Sequence, residues 1–417
     1  MDRRTLLRTG ALALAGLSAG GCASRSVVKA MPAGNRARRQ VNLARIHASL
    51  DRVIRTTVGL RPYRDSGFVL KAEKFDAKTV IHNYGHGGAG MSLAWGTGAM
   101  AADMALAQGD RRAAVLGCGS PGLTAARQLQ RRGFDVTIYA MAVPPDTTSN
   151  MSTAGFTPTS GLVSADRRTP AWDAQFREAA EISYRQLQLL AGRDYGVYWM
   201  DSYNATDDPS PPQGGGNDGD LLPDHLRPNR FRELLGPGEH PFPTKYAVRT
   251  LALSIEPSIY MDALVRDFLQ FGGRIVIRKF DMPRDLMSLE EPLIVNSTGL
   301  GSKALFNDEE LVPIKGQLSL LIPQPEVTYR ISGRVPGSTP PGGNASANPR
   351  SDGIVIGNLM DRGNWSLGVD DEVRRRNVEA AVQFFALMRP PIEGRRLTRA
   401  EPPQTPPRLE SFFDDEG

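Results

Sequence analysis

The chain has 417 residues, 40% of them hydrophobic and 23% charged, which is enough for a sizeable core and two or three folding units. Its formal charge of +5 does not make it a nucleic-acid binder: residues 1–40 hold eight Lys/Arg against Asp2 alone, so the remainder carries about −2. Cys22 and Cys118 are the two cysteines, so no disulfide framework is expected.

The start, "MDRRTLLRTGALALAGLSAGGCAS", joins a basic region, an apolar run from Ala11 to Ala19 and small residues before Cys22. That is the pattern of a signal peptide (residues 1–23) rather than of a membrane span. Arg3-Arg4 with Leu6-Leu7 resembles the bacterial twin-arginine export signal, which implies a periplasmic or envelope location. Cys22 suits a lipid anchor, the sole membrane contact expected; plain cleavage near Ala23 is the alternative. Residues 24–42 read as a tether, and Asn42–Ile54 as a short helix.

Val80–His82 reads as the end of a strand, Met91–Ala107 as an Ala-rich helix and Ala113–Leu116 as a buried strand. A glycine turn then opens a helix, Gly122–Arg132, and the strand Val136–Tyr139 completes a βαβ unit. The expected class is therefore α/β, with a Rossmann-like, doubly wound parallel sheet. Trp172–Leu190 is a periodic amphipathic helix, and "DPSPPQGGGNDGD", Asp208–Asp220, must be an exposed loop. Ile259–Phe271 predicts a helix, and Arg274–Arg278 and Leu293–Ser297 predict strands. After Gln317 the pattern turns strand-like, interrupted by the Gly/Pro-rich Gly333–Asp352, so a second, antiparallel sheet with a lid is expected. Val373–Met388 reads as a helix, and the tail from Pro402 as frayed. The domain reading is 59–160 with 251–316 for the parallel-sheet domain, 161–250 with 317–390 for the substrate or cap domain, and 391–417 for the tail.

Two glycine turns carry the chemistry. "AAVLGCGSPGLTAARQL" fits G-x-G-x-x-G at Gly117, Gly119 and Gly122, after a strand and opening a helix. Such a turn lets the backbone approach a pyrophosphate, with Ser120 and Pro121 at the helix start. The carboxylate that usually ends the second strand is missing: Met141 stands there, and no acid comes before Asp146. This motif alone leaves NAD and FAD open.

The second turn lies in "HNYGHGGAGMSLAWGTGAMAADMA". The run His82-Asn83-Tyr84-Gly85-His86-Gly87-Gly88, with Gly90, Trp95 and Gly96, closely resembles the signature of the D-amino acid oxidase and D-aspartate oxidase family, which implies FAD as cofactor. The backbone of Gly87, Gly88, Ala89, Gly90, Met91 and Ser92 would then face the flavin, where amides and a helix N-terminus stabilise its developing negative charge. His82 and His86 are structural in that family, and no metal is implied. Gly59-Leu60-Arg61-Pro62 resembles the family's Gly-x-Arg-Pro, whose arginine forks onto the substrate carboxylate. "DTTSNMSTAGF" resembles a flavin-approaching segment, which assigns cofactor contacts to Thr147, Thr148, Ser149 and Gly155. "VNSTGLGSKAL" does the same for Thr298 and Gly299. Tyr329, the one tyrosine between Gln317 and Asp352, is the candidate for the family's carboxylate or lid contact; an ordinary strand tyrosine is the alternative.

The order of these parts differs from the family's, where the dinucleotide turn opens the chain and the His-Gly turn closes it. Here roughly Arg61–Ala107 comes first, which implies a circular permutation joined through Gln108–Arg112. The expected reaction is oxidative deamination of a D-amino acid, with Arg61 on the carboxylate, the carbonyl of Gly88 on the amino group and oxygen as acceptor. Alternatives are a flavin dehydrogenase on another amine or imino acid, and a non-catalytic flavin-binding lipoprotein. A homodimer is compatible with the sequence.

Overall fold

The computed structural model describes residues 40–210, 221–227, 232–338, 343–357 and 359–399. The signal segment, Cys22, the tail from Pro402 and most of the Asp208–Asp220 loop lie outside the described residues.

The chain begins with β1 (Val53–Tyr63), β2 (Val69–Phe75), β3 (Lys78–Tyr84), α1 (Gly90–Leu106), β4 (Arg112–Leu116), α2 (Ser120–Arg131) and β5 (Asp135–Ala140). Then come α3 (Pro170–Leu189), β6 (Val197–Thr206), β7 (Glu233–Leu235), β8 (Tyr246–Ile255), α4 (Pro257–Gln270), β9 (Arg274–Ile277) and β10 (Leu293–Asn296). The last elements are α5 (Ser302–Leu305), β11 (Val312–Leu321), β12 (Tyr329–Arg334), β13 (Asn344–Arg350), β14 (Gly353–Ile356), β15 (Asp361–Arg362) and α6 (Asp371–Ala386).

Two sheets result. The smaller runs β2-β3-β10-β4-β5-β9, parallel throughout except at its β2 edge. β3 is buried along its whole length, as expected for a strand covered on both faces. The larger sheet runs β1-β11-β14-β13-β12-β6-β8-β7, with β15 beside β11; its pairs are antiparallel apart from β12 with β6. The α/β class, with a parallel sheet and a mainly antiparallel one, is therefore as the sequence suggests. β1, β8 and β11 each lie wholly in the larger sheet, so the expected breaks at residues 59, 251 and 316 fall inside strands.

Helix α1 is buried on nearly every side because α2 and α3 flank it. Its glycines permit this: a Cβ on Gly96 would lie 2.0 Å from the Ala179 carbonyl oxygen, and one on Gly98 2.9 Å from the Ala125 nitrogen. Helix α3 starts where the Thr169 side chain accepts from the Trp172 amide, and α6 where Asp370 accepts from Val373.

Two local expectations need revision. Asn42–Ile54 is not a helix: Val41, Leu43, Ala44 and Ile46 lie irregularly in a core with Tyr329, Phe384 and Phe385, and β1 starts at Val53. The β-branched Val53, Ile54, Thr56 and Thr57 favour a strand there. Part of the segment Gly333–Asp352, expected as a lid, is strand, since β12 reaches Arg334 and β13 takes Asn344–Arg350, while residues 339–342 lie outside the described residues.

Candidate active site

The dinucleotide turn forms as its glycines require. Gly117 has φ +102°, and a Cβ there would lie 2.5 Å from the Ser297 carbonyl oxygen. A Cβ on Gly122 would lie 2.0 Å from the Gly117 carbonyl, so both close contacts exclude side chains. Gly119 is the N-cap of α2 and supplies no side-chain cap, which leaves the helix start for another acceptor. The Ser120 amide donates to Ser149 Oγ at 2.9 Å, so the Thr147–Ser149 segment sits on this turn. Thr147 Oγ1 donates to Asn150 Oδ1, and Thr148 faces Gly59 of β1. Thr298 lies against Gly117, and Gly299 against Pro62 of β1. Cys118, inside the turn, is buried with its thiol pushed up to about 12, so it is neutral and unreactive.

A cofactor fits this region on the evidence of unpaired polar atoms. Among the described residues Ser120 Oγ, Ser297 Oγ and Asn83 Oδ1 are buried with no hydrogen-bond partner, and all three border the turn. Native interiors rarely leave such atoms unpaired unless a ligand or water meets them. No carboxylate ends β5: Met141 follows Ala140 and is 73% exposed.

The His-Gly turn follows β3. Gly87 has φ +53°, and a Cβ there would lie 2.0 Å from the Gly161 carbonyl oxygen. The Gly88 amide donates to that same oxygen at 3.2 Å, and a Cβ on Gly88 would lie 2.6 Å from the Ser160 carbonyl. Ala89 donates its amide to the His86 carbonyl, and α1 begins at Gly90 with Met91 buried behind it. Ser92 Oγ accepts from the Thr157 amide at 2.8 Å and donates to the Gly155 carbonyl at 2.9 Å. The turn is thereby tied to the segment Gly155–Gly161. Thr124 Oγ1 of α2 donates to the Ala94 carbonyl of α1, so the two glycine turns open neighbouring helices.

Both histidines are committed to structure. His82 is buried between Glu73 Oε1, at 2.9 Å, and Asn296 Nδ2, at 3.1 Å, and so joins β2, β3 and β10. His86 stacks on Phe68, meets Thr97 Oγ1 at 3.1 Å, and burial pulls its pKa down to about 4. Among the described residues no three His, Cys, Asp or Glu gather as a metal site.

Arg61 lies on β1 opposite Ile314 of β11. Its Nη1 donates to the Leu359 carbonyl at 3.3 Å and would lie 2.7 Å from a Cβ on Gly316, so the guanidinium folds over that glycine. Burial lowers its pKa, though it stays charged. A Cβ on Gly59, opposite Gly316, would lie 3.0 Å from Met151 Cβ, which sets the Thr147–Gly155 segment over this face of the larger sheet.

Tyr329 requires a correction. It points to the opposite face, 1% exposed, and its hydroxyl donates to the Ala44 carbonyl at 2.7 Å. Its ring packs with Tyr203 and Phe242, so it is a core residue and not a substrate or lid contact. Sequence reasoning missed Gly316, Ser160–Gly161 and Leu359–Met360. Only Gly316 carries a signal, a glycine inside a strand that marks close approach.

A parallel sheet with a G-x-G-x-x-G turn, a second glycine turn beside it and a partner sheet closing over both define a dinucleotide-dependent oxidoreductase. The chain belongs to the FAD dependent oxidoreductase family, whose model matches residues 14–104 and 112–406, and FAD is its cofactor. It is 23% identical over 287 residues to a D-amino acid oxidase of Dugesia ryukyuensis, covering 64% of this chain and 74% of that one. It is 26% identical over 302 residues to a D-amino-acid oxidase of Rubrobacter xylanophilus, covering 69% and 79%. A solved glycine oxidase from Bacillus cereus superposes with a TM-score of 0.45 at 16% identity, covering 67% of this chain and 79% of that one.

Proposed function

We propose that the protein oxidises D-amino acids to 2-oxo acids and ammonia, with oxygen reduced to hydrogen peroxide. The observation that carries this reading is the Arg61 guanidinium, folded over Gly316 on the sheet face that meets the Thr147–Gly155 segment. There its planar fork would hold the substrate carboxylate, and the Gly88 carbonyl would accept from the amino group. Two fixed points leave the α-carbon little freedom, so orientation supplies the rate. When bound, FAD supplies the acceptor for the two electrons leaving the α-carbon, which oxygen then takes up. No base is required at that carbon, since loss of the amine proton and alignment suffice; the two histidines of the turn are buried and engaged. The imino acid then takes up water and releases ammonia. Stoichiometric peroxide and ammonia from a D-amino acid are the expected result with purified protein; ammonia without peroxide would make it a dehydrogenase.

The chain order is read as a circular permutation. Helix α1 passes into β4 through residues 107–111, and the family match breaks at 105–111. The Asn42 amide donates to Thr398 Oγ1 at 2.9 Å and the Thr398 amide to the Asn42 carbonyl at 2.7 Å, so the ends of the described chain are neighbours. Export by the twin-arginine route, with or without acylation of Cys22, rests on the sequence of the first 23 residues.

A further inference from the structure

The βαβ unit that carries the G-x-G-x-x-G turn lacks one part of its usual equipment. In such units the second strand is followed by a carboxylate that takes the 2′-hydroxyl of the adenosine ribose. Here β5 ends at Ala140 and Met141 follows, 73% exposed. The parallel order β4-β5-β9 sets the residues after these strands, Gly117, Met141 and Arg278, along the carboxyl edge, where α/β sheets bind nucleotides. The Arg278 amide donates to the Ala140 carbonyl at 2.9 Å, so the ends of β5 and β9 are joined, and Ile277 there is 66% exposed. Two apolar side chains are thus exposed where a ribose-binding acid is expected.

The charged groups around this edge are engaged. Arg278 lies over the Phe280 ring at 4.6 Å and donates to Ser288 Oγ at 2.5 Å. Asp281 pairs with Lys279, and Asp285 accepts from the amides of Asp281 and Met282 at 3.0 Å each. Glu291 accepts from the Tyr139 hydroxyl at 3.3 Å, but it precedes β10 and so belongs to the other end of the strands. Asp146, the first acid after β5 in sequence, closes a turn through its amide on the Val143 carbonyl at 2.8 Å. It directly precedes Thr147–Ser149, the segment seated on the G-x-G-x-x-G turn.

We infer that Met141 takes the place of the carboxylate: the adenosine of FAD is held at this edge by apolar contact with Met141 and Ile277, and its 2′-hydroxyl stays in water. This rests on FAD as the cofactor and not on the amino-acid oxidation reading. A thioether is polarisable and packs well, but it offers a hydroxyl only a weak acceptor. A hydrogen bond to a carboxylate is charge-assisted, and its loss lowers affinity about 10-fold or more. FAD binding by this chain should therefore ignore the 2′-hydroxyl while still requiring the adenosine.

The test offers flavin-free protein an equimolar mixture of FAD and its 2′-deoxyadenosine analogue, and the two flavins retained after gel filtration are separated and counted. The natural sequence should retain them within about twofold of each other, and FMN should compete at least about 10-fold less well than either. Met141→Glu should favour FAD over the analogue about 10-fold or more, whereas Met141→Leu, which keeps the apolar contact, should stay indifferent. A preference for FAD of about 10-fold or more in the natural sequence overturns the inference, whatever the variants do; loss of that preference in Asp146→Asn would place the anchor there instead. An indifferent Met141→Glu overturns the placement of Met141. Equal competition by FMN overturns the apolar contact, since the adenosine would then contribute no affinity. Every readout is bound flavin, so the result stands whether or not a D-amino acid is oxidised.

Discussion

At the scale of single residues, the clearest division is between Arg61 and Tyr329, both candidates from sequence. Arg61 folds over Gly316 beside the site, whereas Tyr329 is sealed in the core on the reverse of the sheet. Arg61→Ala is expected to keep FAD and lower kcat/KM at least about 100-fold, the loss of a bidentate charged contact. Tyr329→Phe should cost about 1 kcal/mol of stability through its lost hydrogen bond and leave kcat/KM unchanged. Steady-state kinetics and denaturant titration of the two variants separate the roles. His86 gives a pH prediction with a definite sign. Folding depresses its pKa from 6.5 to about 4, so the unfolded chain binds more protons between those values. Its contribution is complete above pH 6.5 and lost as the pH falls toward 4, about 2 kcal/mol between pH 7 and pH 5. Denaturant titration at the two pH values should show that slope, and His86→Gln should flatten it.

At the scale of elements, legibility followed local periodicity. The βαβ unit around Gly117, the helix after the His-Gly turn and the helix at Trp172 were readable because apolar spacing, caps and glycines act within a few residues. β13 was not: "NASANPR" has poor strand propensity and contains Pro349, and becomes a strand only because β12 and β14 flank it. Asn42–Ile54 misled because its buried residues answer to a core assembled from residues nearly 300 positions away. The glycine turns could be read because their steric demand is local, but Gly316 under Arg61 is a contact between strands. Packing around α1 leaves no room for a side chain at Gly96. Gly96→Leu should destabilise the protein by about 3 kcal/mol or more and release FAD, because the Ala179 backbone cannot retreat. Thermal unfolding with flavin fluorescence would detect both effects.

For the whole molecule, the chain order is the distinctive feature. The two glycine turns, close in sequence, open adjacent helices after β3 and β4, the strands on either side of β10 in the parallel sheet, while residues 42 and 398 meet by hydrogen bonds elsewhere. The short connection at residues 107–111 is what brings them together in sequence. A chain reopened between Gln108 and Asp110, with residues 399 and 40 joined by a short flexible linker, should therefore fold and bind FAD. Failure of that protein to retain flavin would argue against the permutation reading. The most direct measurement of the proposed chemistry is the visible flavin absorbance of the purified holoprotein, mixed without oxygen with D-amino acids and, in parallel, their L enantiomers. Bleaching by the D forms and none by the L forms is the expected result; a flavin that stays oxidised with every D-amino acid would contradict it.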